Sequence, residues 1–307
     1  MPYFLAVDAG GTKTDFALAD ETQELVRVRT GAIQRQRVNE ETARENLREA
    51  LHQLEHSTGV AMRSVTRCCI GTSGDTVPLI TAWLRQSFSS SVGGELLLLS
   101  DVEIALDACF HGERGVLVLA GTGSNVAGRA ATGKIVTAGG WGPNLADQGS
   151  GQFIGLEALR QGFLAIDREE ATTLLDRARK HWKLSSLNAL IEFANSNPAP
   201  NFTTFAPIVV SAAEEGDRVA REVLEKAGRD LAYLAGLVIA RIRRLESEPS
   251  DAFTPPPVAV AGSILGKVAP VRAALTESLR AIYPEIDILD APADPVRGAL
   301  WRARKGA

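Results

Sequence analysis

The stretch DAGGTKTD, residues 8–15, lies between two apolar runs, YFLAV at residues 3–7 and FALA at residues 16–19. This order predicts a strand, a glycine turn and a second strand. Glycines let a ligand approach the backbone closely, so successive N–H groups and threonine hydroxyls can bind phosphate oxygens. The stretch therefore predicts either a plain glycine hairpin or a phosphate-binding turn, whose candidate residues are Gly10, Gly11, Thr12, Lys13 and Thr14.

Asp8 stands at the carboxyl end of the first predicted strand, directly before this turn. Magnesium prefers one or two carboxylates together with phosphate oxygens. If the turn binds phosphate, Asp8 is placed to hold Mg²⁺ through water. A solvent-facing aspartate is the alternative.

A second turn of the same composition follows the strand GVLVLA at residues 115–120 and contains Gly121, Thr122 and Gly123. Gly121 follows Gly10 by 111 positions, and short strands follow both turns. This weak internal repeat predicts two related α/β halves, residues 1–113 and 114–307, facing each other across a cleft. Two opposed turns would hold a polyphosphate from both sides. The spacing completes neither GxGxxG nor GxxxxGK[ST], so neither a dinucleotide fold nor a P-loop is supported.

Asp101 directly follows the strand ELLLLS at residues 95–100 and begins a helical run. Ser and Asp are ordinary N-cap residues at such a junction. Beside a phosphate site, the same carboxylate could accept the proton of an attacking hydroxyl, as the base does in phosphoryl transfer to alcohols. Both interpretations are open from the residues alone.

The segment GGWGPNLADQGSG, residues 139–151, concentrates glycine and polar residues in a loop before a helix. Exposed backbone and fixed polar groups suit a polyhydroxylated ligand, and the candidates here are Trp141, Gly142, Asn144 and Asp147. The alternative is a structural loop in which Asp147 or Ser150 caps the helix. Gly262 and Ser263, which end the strand PVAVA, form a turn that can pass under an adenine ring.

Composition limits the possible partners and compartments. The chain has 307 residues, 45% of them hydrophobic, and a net charge of -4, so neither nucleic acid nor an anionic membrane is an expected partner. Three cysteines without a CxxC pair predict free thiols in a reducing cytoplasm, and the amino terminus lacks the basic region of a secretory signal. The apolar stretch LAYLAGLVIA, residues 231–240, is shorter than the roughly 20 residues that span a bilayer and predicts a buried helix.

Seven segments, in this order and spacing, resemble the BadF/BadG/BcrA/BcrD-type ATPase family and, within it, the N-acetylglucosamine kinases: DAGGTKTD, SDVEIALDA, LAGTGSN, GGWGPNLADQGSG, FAPIVVSAAEEGDRVA, VAVAGS and DPVRGAL. The resemblance implies two ribonuclease-H-like domains of the actin-like ATPase type, ATP and Mg²⁺ in the cleft, and a C-terminal helix packed back on the N-terminal domain. It implies that Asp101 is the catalytic base and that Asp8 is associated with Mg²⁺. The sugar-facing residues that it implies are Ser124, Asn125, Gly140, Trp141 and Asp147, and those flanking adenosine are Ala213, Gly262 and Ser263.

The chain departs from this family pattern in two places. Amino-sugar kinases of this type place an asparagine after the third strand, where this chain reads GAIQRQR at residues 31–37, so Gln34 or Gln36 is the candidate substitute. Arg35 and Arg37 suggest that an acidic sugar such as N-acetylmuramic acid is accepted through charge-assisted hydrogen bonds. No cysteine follows Cys109, and no CxC cluster occurs, which argues against the iron–sulfur cluster of related dehydratase activators and against a structural zinc.

The sequence thus predicts a cytoplasmic, ATP-dependent amino-sugar kinase, most simply acting on the 6-hydroxyl of N-acetylglucosamine or glucosamine. A homodimer is the default oligomer. The alternatives are a regulatory ATP-binding module that closes as a switch for a protein partner, or an activating ATPase of another enzyme.

Overall fold

The computed structural model describes residues 1–35, 37–73, 77–246, 253–289 and 294–306. By its internal contacts the chain forms two units: unit 1 comprises residues 1–113 and 293–307, and unit 2 comprises residues 114–292. Each unit contains a five-stranded mixed sheet. Gln36, one candidate for the missing asparagine, lies outside the described residues.

The strands are β1 (Tyr3–Ala9), β2 (Lys13–Ala19), β3 (Glu24–Gly31), β4 (Val65–Thr72), β5 (Glu95–Ser100), β6 (Gly115–Ala120), β7 (Ser124–Arg129), β8 (Ile135–Ala138), β9 (Val258–Ala261) and β10 (Ile288–Leu289). The helices are α1 (Glu40–Thr58), α2 (Pro78–Ser91), α3 (Asp101–Phe110), α4 (Gly151–Asp167), α5 (Leu174–His181), α6 (Leu187–Ala194), α7 (Ala206–Glu214), α8 (Arg218–Glu246), α9 (Ser263–Lys267), α10 (Ala269–Ile282) and α11 (Pro295–Lys305).

The two sheets share one topology. Their strand orders are β3-β2-β1-β4-β5 and β10-β9-β6-β7-β8, so each begins with an antiparallel three-stranded meander and adds two parallel strands beside its first strand. The internal repeat detected in the sequence is therefore confirmed as a repeat of topology. Because the carboxyl ends of parallel strands meet at one edge of a sheet, residues that follow β1, β4 and β5 lie at the same edge of unit 1.

The sheet of unit 1 is buried on both faces, which explains why its central strand is a continuous apolar run. Leu5 and Val7 pack with the core that contains α1 and α2. Phe4 and Ala6 point to the other face and pack with residues of α3 and α11. Successive strand residues alternate between faces, so each face of β1 is covered by its own helix layer.

Helix α11 packs closely on α3 inside unit 1. A Cβ added to Gly298 would lie 1.7 Å from the carbonyl oxygen of Ile104, so only glycine allows this approach of the two backbones. The buried residues Val296 and Ala299 join the cluster that Ile104 also enters. The position of α3 is thereby fixed by the C-terminal helix.

Unit 2 buries one cluster between its sheet and its helices, including Val116, Val118 and residues along the whole length of α8. The stretch at residues 231–240 lies within α8, and Leu231, Leu234 and Val238 are buried there, as predicted. No helix of the described part of the chain is long and apolar enough to span a membrane. The strand predicted near 286–289 is shorter than expected and covers only Ile288–Leu289.

Candidate active site

The turn between β1 and β2 exposes backbone donors. A Cβ at Gly10 would lie 2.8 Å from the carbonyl oxygen of Lys13, which makes glycine necessary for this tight turn. Within the described residues, the N–H groups of Gly11 and Thr12 have no hydrogen-bond acceptor. Thr14, also predicted in the turn, lies in β2 with its side chain fully buried. The turn therefore offers backbone groups of Gly11 and Thr12 to an anion.

Asp8 lies at the end of β1, in register with Asp15 on β2. Burial, and to a smaller extent the negative charges of Asp101 and Asp15, raise the pKa of Asp8 from its ordinary value to about 6. The positive charge of Lys13 acts in the opposite direction on the pKa of Asp8, and Asp15 itself pairs with Arg29. Among the described residues no group of three or more His, Cys, Asp or Glu side chains could hold a metal. A divalent cation here fits only as a water- and phosphate-ligated ion, which is the usual state of Mg²⁺.

Asp101 is the first residue of α3 and does not cap that helix. The cap is Ser100, whose hydroxyl accepts from the N–H of Glu103 at 3.1 Å while the Glu103 carboxylate accepts from the N–H of Ser100. The interpretation of Asp101 as a cap is therefore wrong, because the preceding serine forms a complete capping box. The Asp101 carboxylate accepts from the N–H of Val102 and is close enough to raise the pKa of Asp8.

The polar residues of the segment after β3 have different contacts, and Gln34 differs from the two arginines that follow it. Gln34 is buried, and its Nε2 donates to the carbonyl oxygen of Ala9 at 2.6 Å and to the hydroxyls of Thr72 and Ser73 at 3.0 Å each. It thereby ties this segment to the carboxyl ends of β1 and β4. Thr72 and Ser73 were missed in the sequence, although polar residues that end a parallel strand are a recognisable signal.

The two arginines of the same segment differ in their partners. Arg35 forms an ion pair with Glu40 at the start of α1. Arg37 is exposed, and a Cβ on Gly11 would lie 3.3 Å from its Nε, so its guanidinium covers the glycine turn. Among the described residues the Arg37 guanidinium has no hydrogen-bond acceptor or ion-pair partner. Of these two arginines, Arg37 has its whole guanidinium without a partner among the described residues.

In unit 2 the turn between β6 and β7 resembles the first turn in its exposed backbone donors. The N–H of Gly121 donates to the carbonyl oxygen of Gly123 at 2.8 Å, which closes the turn. The N–H groups of Thr122 and Gly123 find no acceptor in the part of the chain that the structure describes. Both residues are exposed.

Within the glycine-rich segment at residues 139–151, residues 141–146 form a short, mostly exposed hairpin. The N–H of Trp141 donates to the carbonyl oxygen of Ala146 at 3.1 Å, and Gly142 pairs with Ala146. The Trp141 side chain is 73% exposed, and Asn144 is exposed at the tip. Gly140 has a φ of 71°, and a Cβ there would lie 2.9 Å from Cγ of Asn125, so the loop brings Gly140 against Asn125. The Oδ1 atom of Asn125 is buried without a partner among the described residues.

The loop continues into α4 through Asp147 and Ser150. Ser150 caps α4, since its hydroxyl accepts from the N–H of Phe153 at 3.0 Å, which confirms that one of the two expected capping residues serves this role. Asp147 is buried, and its carboxylate accepts from the N–H of Ser124 at 2.6 Å and from the Ser150 hydroxyl at 2.8 Å. The contact of Asp147 with the glycine turn was not visible in the sequence, because the two lie 23 positions apart.

The residues expected near adenosine lie in two elements of unit 2. Gly262 has a φ of 94°, and a Cβ there would lie 2.2 Å from the carbonyl oxygen of Ala120. Ser263 begins α9, and its hydroxyl lies 3.7 Å from the position of a Cβ on Gly121. The structure thus brings Gly262 and Ser263 to the glycine turn. Ala213 is a buried residue of α7 and belongs to the core of unit 2.

Comparison with known proteins covers nearly the whole chain. A model of the BadF/BadG/BcrA/BcrD ATPase family matches residues 5–303. The chain is 25% identical to an N-acetylmuramic acid/N-acetylglucosamine kinase of Clostridium acetobutylicum, over 99% of each sequence. It is 27% identical to an N-acetyl-D-glucosamine kinase of Dictyostelium discoideum, over 98% of this chain and 97% of the relative. A crystal structure from Chromobacterium violaceum, described as a candidate N-acetylglucosamine kinase, matches with 25% identity, a TM-score of 0.73 and 98% of each chain covered. These similarities confirm the predicted α/β class and the resemblance drawn from the seven segments.

Proposed function

The chain belongs to the BadF/BadG/BcrA/BcrD ATPase family, and from this premise we propose that it is an ATP-dependent kinase of amino sugars. Its substrate is N-acetylglucosamine or glucosamine, phosphorylated at the 6-hydroxyl. The names of the relatives support the substrate class. The observation that carries the proposal is Asp101, a carboxylate at the strand-end edge of unit 1, beside Asp8, on a helix that is capped by another residue.

In the proposed reaction Asp101 accepts the proton of the sugar hydroxyl as the hydroxyl oxygen attacks the γ-phosphorus of ATP. The bond between the γ-phosphorus and the bridging oxygen breaks, and ADP leaves. In unit 1 the N–H groups of Gly11 and Thr12, which have no acceptor among the described residues, are the proposed donors to phosphate oxygens on which negative charge accumulates. In unit 2 the N–H groups of Thr122 and Gly123 are the corresponding proposed donors. These donors are fixed by tight turns, so little reorganisation is needed during the transfer.

Other residues are proposed to bind Mg²⁺, the sugar and the adenosine. Asp8 would hold Mg²⁺ through water, and the ion would neutralise charge on the phosphate oxygens. The proposed sugar contacts come from the loop that contains Gly140, Trp141, Gly142 and Asn144, and from Asn125, whose Oδ1 has no partner among the described residues. The adenosine is proposed to lie beside Gly262 and Ser263, which lie at the glycine turn of unit 2. Ala213, the third residue that the resemblance implies for adenosine, is a buried core residue of α7, so its role stays a prediction.

Arg37 supports a second candidate substrate, N-acetylmuramic acid, as the acceptor of the phosphoryl group. Arg35 pairs with Glu40, whereas Arg37 has no partner among the described residues, so Arg37 is the residue proposed to bind the carboxylate of N-acetylmuramic acid. The Clostridium relative is named for both sugars. Arg37→Ala should then reduce kcat/KM for N-acetylmuramic acid at least tenfold while leaving N-acetylglucosamine within twofold. Arg35→Ala is the matched control, and equal loss for both sugars in the Arg37 variant contradicts this role.

We place the enzyme in the cytoplasm and expect a homodimer. Cys68, Cys69 and Cys109 are free thiols in the structure. Burial raises the pKa of Cys69 to about 12 and that of Cys109 to about 11, so neither thiol is a nucleophile near neutral pH.

One assay tests the proposal against its rivals. ATP consumption, coupled to ADP detection, is measured against a panel of amino sugars with and without Mg²⁺. A kinase shows ADP release that depends on one of the sugars, with a phosphorylated sugar as product. A regulatory ATP-binding module or an activating ATPase shows nucleotide binding or hydrolysis that no sugar changes, and that result overturns the proposal.

A further inference from the structure

A cleft of about 410 Å³ lies between α1 and α2 of unit 1. Three of the side chains that line it, Leu47, Leu51 and Met62, are buried and give it an apolar floor. Sites for small molecules are concave and mostly apolar, with volumes of roughly 300–1,000 Å³. The cleft therefore has the size and the floor of a site for a small organic molecule.

This cleft lies away from the candidate active site. Met62 lies three residues before β4, and Ser91, which lines the cleft from α2, lies four residues before β5. The cleft thus reaches the edge of the sheet at which these parallel strands begin, whereas Asp8 and Asp101 lie at the edge where strands end. Because β4 has eight residues, the two edges are about 23 Å apart. The residues that line the cleft are none of those proposed to bind ATP, Mg²⁺ or the amino sugar.

Basic side chains line the α1 side of the cleft at four-residue spacing: Arg44, Arg48 and His52. Residues four apart lie on the same face of a helix. Arg44 donates to the carboxylate of Glu40. Arg48 is 80% exposed, and its guanidinium lies 3.9 Å from Glu45, which is beyond hydrogen-bond distance. The Arg48 guanidinium can therefore form charge-assisted hydrogen bonds with an anion.

The α2 side of the cleft contributes hydrogen-bond donors that lack an acceptor. Ser87 lines the cleft and is 4% exposed, and its hydroxyl has no hydrogen-bond partner among the described residues. The indole N–H of Trp83, one turn earlier on α2, is likewise buried and unpartnered in the described part of the chain. A buried polar group without a partner costs stability, and an indole nitrogen can only donate. Both groups thus point to a ligand that brings an acceptor.

We propose that the cleft between α1 and α2 is a second ligand site, which binds a phosphate monoester of an apolar organic group. The organic group packs on the apolar floor, and the phosphate is bound at the mouth by Arg48 and His52. The ester oxygen, which joins the two parts of the ligand, is the acceptor for the Ser87 hydroxyl. The carboxylate of Glu55 also lines the cleft, but its Oε1 accepts from the N–H of Met62 at 2.7 Å. This inference goes beyond the proposed kinase function and does not depend on it.

Methyl NMR of methionine tests the site directly, because the chain has two methionines, Met1 and Met62. Met62 lines the cleft, whereas Met1 is 82% exposed and serves as an internal control. In protein labelled with ¹³C at the methionine methyl groups, we expect phenyl phosphate to shift the Met62 signal saturably and to leave the Met1 signal unchanged. Met62→Leu assigns the two signals. If phenyl phosphate leaves the Met62 signal unchanged, the proposal is overturned.

Two fragments of the probe test which parts of the ligand are needed. Phenol carries only the apolar group and inorganic phosphate only the anion, so each should bind at least tenfold more weakly than phenyl phosphate by the shift of the Met62 signal. Affinity of inorganic phosphate equal to that of phenyl phosphate would reduce the cleft to an adventitious anion site and overturns the proposal. Equal affinity of phenol overturns it as well, because the phosphate would then contribute nothing.

Substitutions locate the binding groups. Arg48→Ala should weaken phenyl phosphate binding at least fivefold, and the fold should be unaffected because Arg48 is exposed. Arg85→Ala is the matched control, since Arg85 is an exposed arginine of α2 that does not line the cleft. Its affinity should stay within twofold of wild type. Unchanged affinity in Arg48→Ala, or an equal loss in Arg85→Ala, contradicts the proposed phosphate contact.

Ser87→Ala tests the contact inside the cleft. This variant should have a Tm no lower than wild type, because it removes a buried hydroxyl that has no partner among the described residues. Its affinity for phenyl phosphate should nevertheless fall at least threefold. An affinity equal to that of wild type shows that the ester oxygen does not meet Ser87. These measurements use neither ATP nor an amino sugar, so failure of the kinase assay leaves them interpretable.

Discussion

Arg302 on α11 donates two hydrogen bonds to Oδ2 of Asp107 on α3, from Nε at 2.8 Å and from Nη2 at 2.7 Å. The Asp107 side chain is fully buried, and Asp101 is the first residue of the same helix. The C-terminal helix therefore holds the helix that carries the proposed base. The close approach of Gly298 to Ile104 also holds α3 against α11.

Arg302→Ala should destabilise unit 1 by about 3–5 kcal/mol, because it leaves a buried carboxylate without its guanidinium. The measurement is the free energy of unfolding from urea denaturation. Arg297→Ala is the control on the same helix, since Arg297 is 77% exposed and only 3.9 Å from Asp294 at its closest. We expect that variant within about 0.5 kcal/mol of wild type. Equal costs for the two arginines would show that the Asp107 pair does not stabilise the fold.

Asp101→Asn should reduce kcat about 10²-fold or more while nucleotide affinity stays unchanged, because the amide cannot accept the hydroxyl proton. The structure sharpens this prediction, since Ser100 and not Asp101 caps α3. The variant should therefore unfold at the same urea concentration as wild type. Ser100→Ala supplies the reverse case: a loss of about 1 kcal/mol of stability with a much smaller loss of kcat. Near-normal turnover of Asp101→Asn would place the base elsewhere.

The order of strands and helices could be predicted from the sequence because apolar periodicity and glycine turns are local signals. The repeat of the glycine turn after 111 positions predicted two related α/β halves, and the two sheets share one topology. Local signals could also place Asp8 and Asp101 at strand ends. Composition alone could not decide whether Asp101 or Ser100 caps α3, because both residue types serve as caps.

The partners of buried polar side chains could not be predicted. Gln34 was expected to be a candidate for a sugar contact, yet its amide nitrogen is bonded to Ala9, Thr72 and Ser73. Asp147 was expected to face the sugar, and its carboxylate meets Ser124 and Ser150. Such contacts join residues far apart in sequence, and a single sequence gives no distance between them. Whether the remaining site residues bind ATP and sugar stays a prediction.

Asp217→Ala should weaken unit 2 in a pH-dependent way. Burial alone would raise the pKa of Asp217, but the N–H groups of Thr173 and Ala220 and two threonine hydroxyls outweigh it and hold the pKa below its ordinary value of 3.8. A depressed pKa contributes stability that is present above the unfolded-state pKa and lost as the pH falls through the folded-state pKa. We expect a cost of about 1–2 kcal/mol from pH 5 to 8, on the scale of a helix cap, and a decreasing cost below about pH 4.

Urea denaturation of wild type and variant at pH 7, 5, 4 and 3 measures this difference. Asp217→Ser is the control, because a serine hydroxyl can cap α8 without a charge. The difference in unfolding free energy between wild type and Asp217→Ser should therefore report only the contribution of the ionised carboxylate. A cost of Asp217→Ala that stays constant from pH 7 to pH 3 would show that the charge of Asp217 contributes nothing.

Gly262→Ala should distort the turn Gly121–Ser124, because Gly262 packs against the backbone of Ala120 directly before that turn. The residue has a φ of 94°, and its new Cβ would lie 2.2 Å from the carbonyl oxygen of Ala120, the residue directly before the turn. Because backbone cannot rotate away as a side chain can, we expect a loss of at least about 3 kcal/mol of stability and weaker binding of a non-hydrolysable ATP analogue, measured by urea denaturation and calorimetry. Gly266→Ala, in α9 with open space around the added Cβ, should be neutral or stabilising by up to about 1 kcal/mol. Full stability and unchanged analogue affinity in Gly262→Ala would mean that the β9–α9 junction can shift away from Ala120 without disturbing the turn.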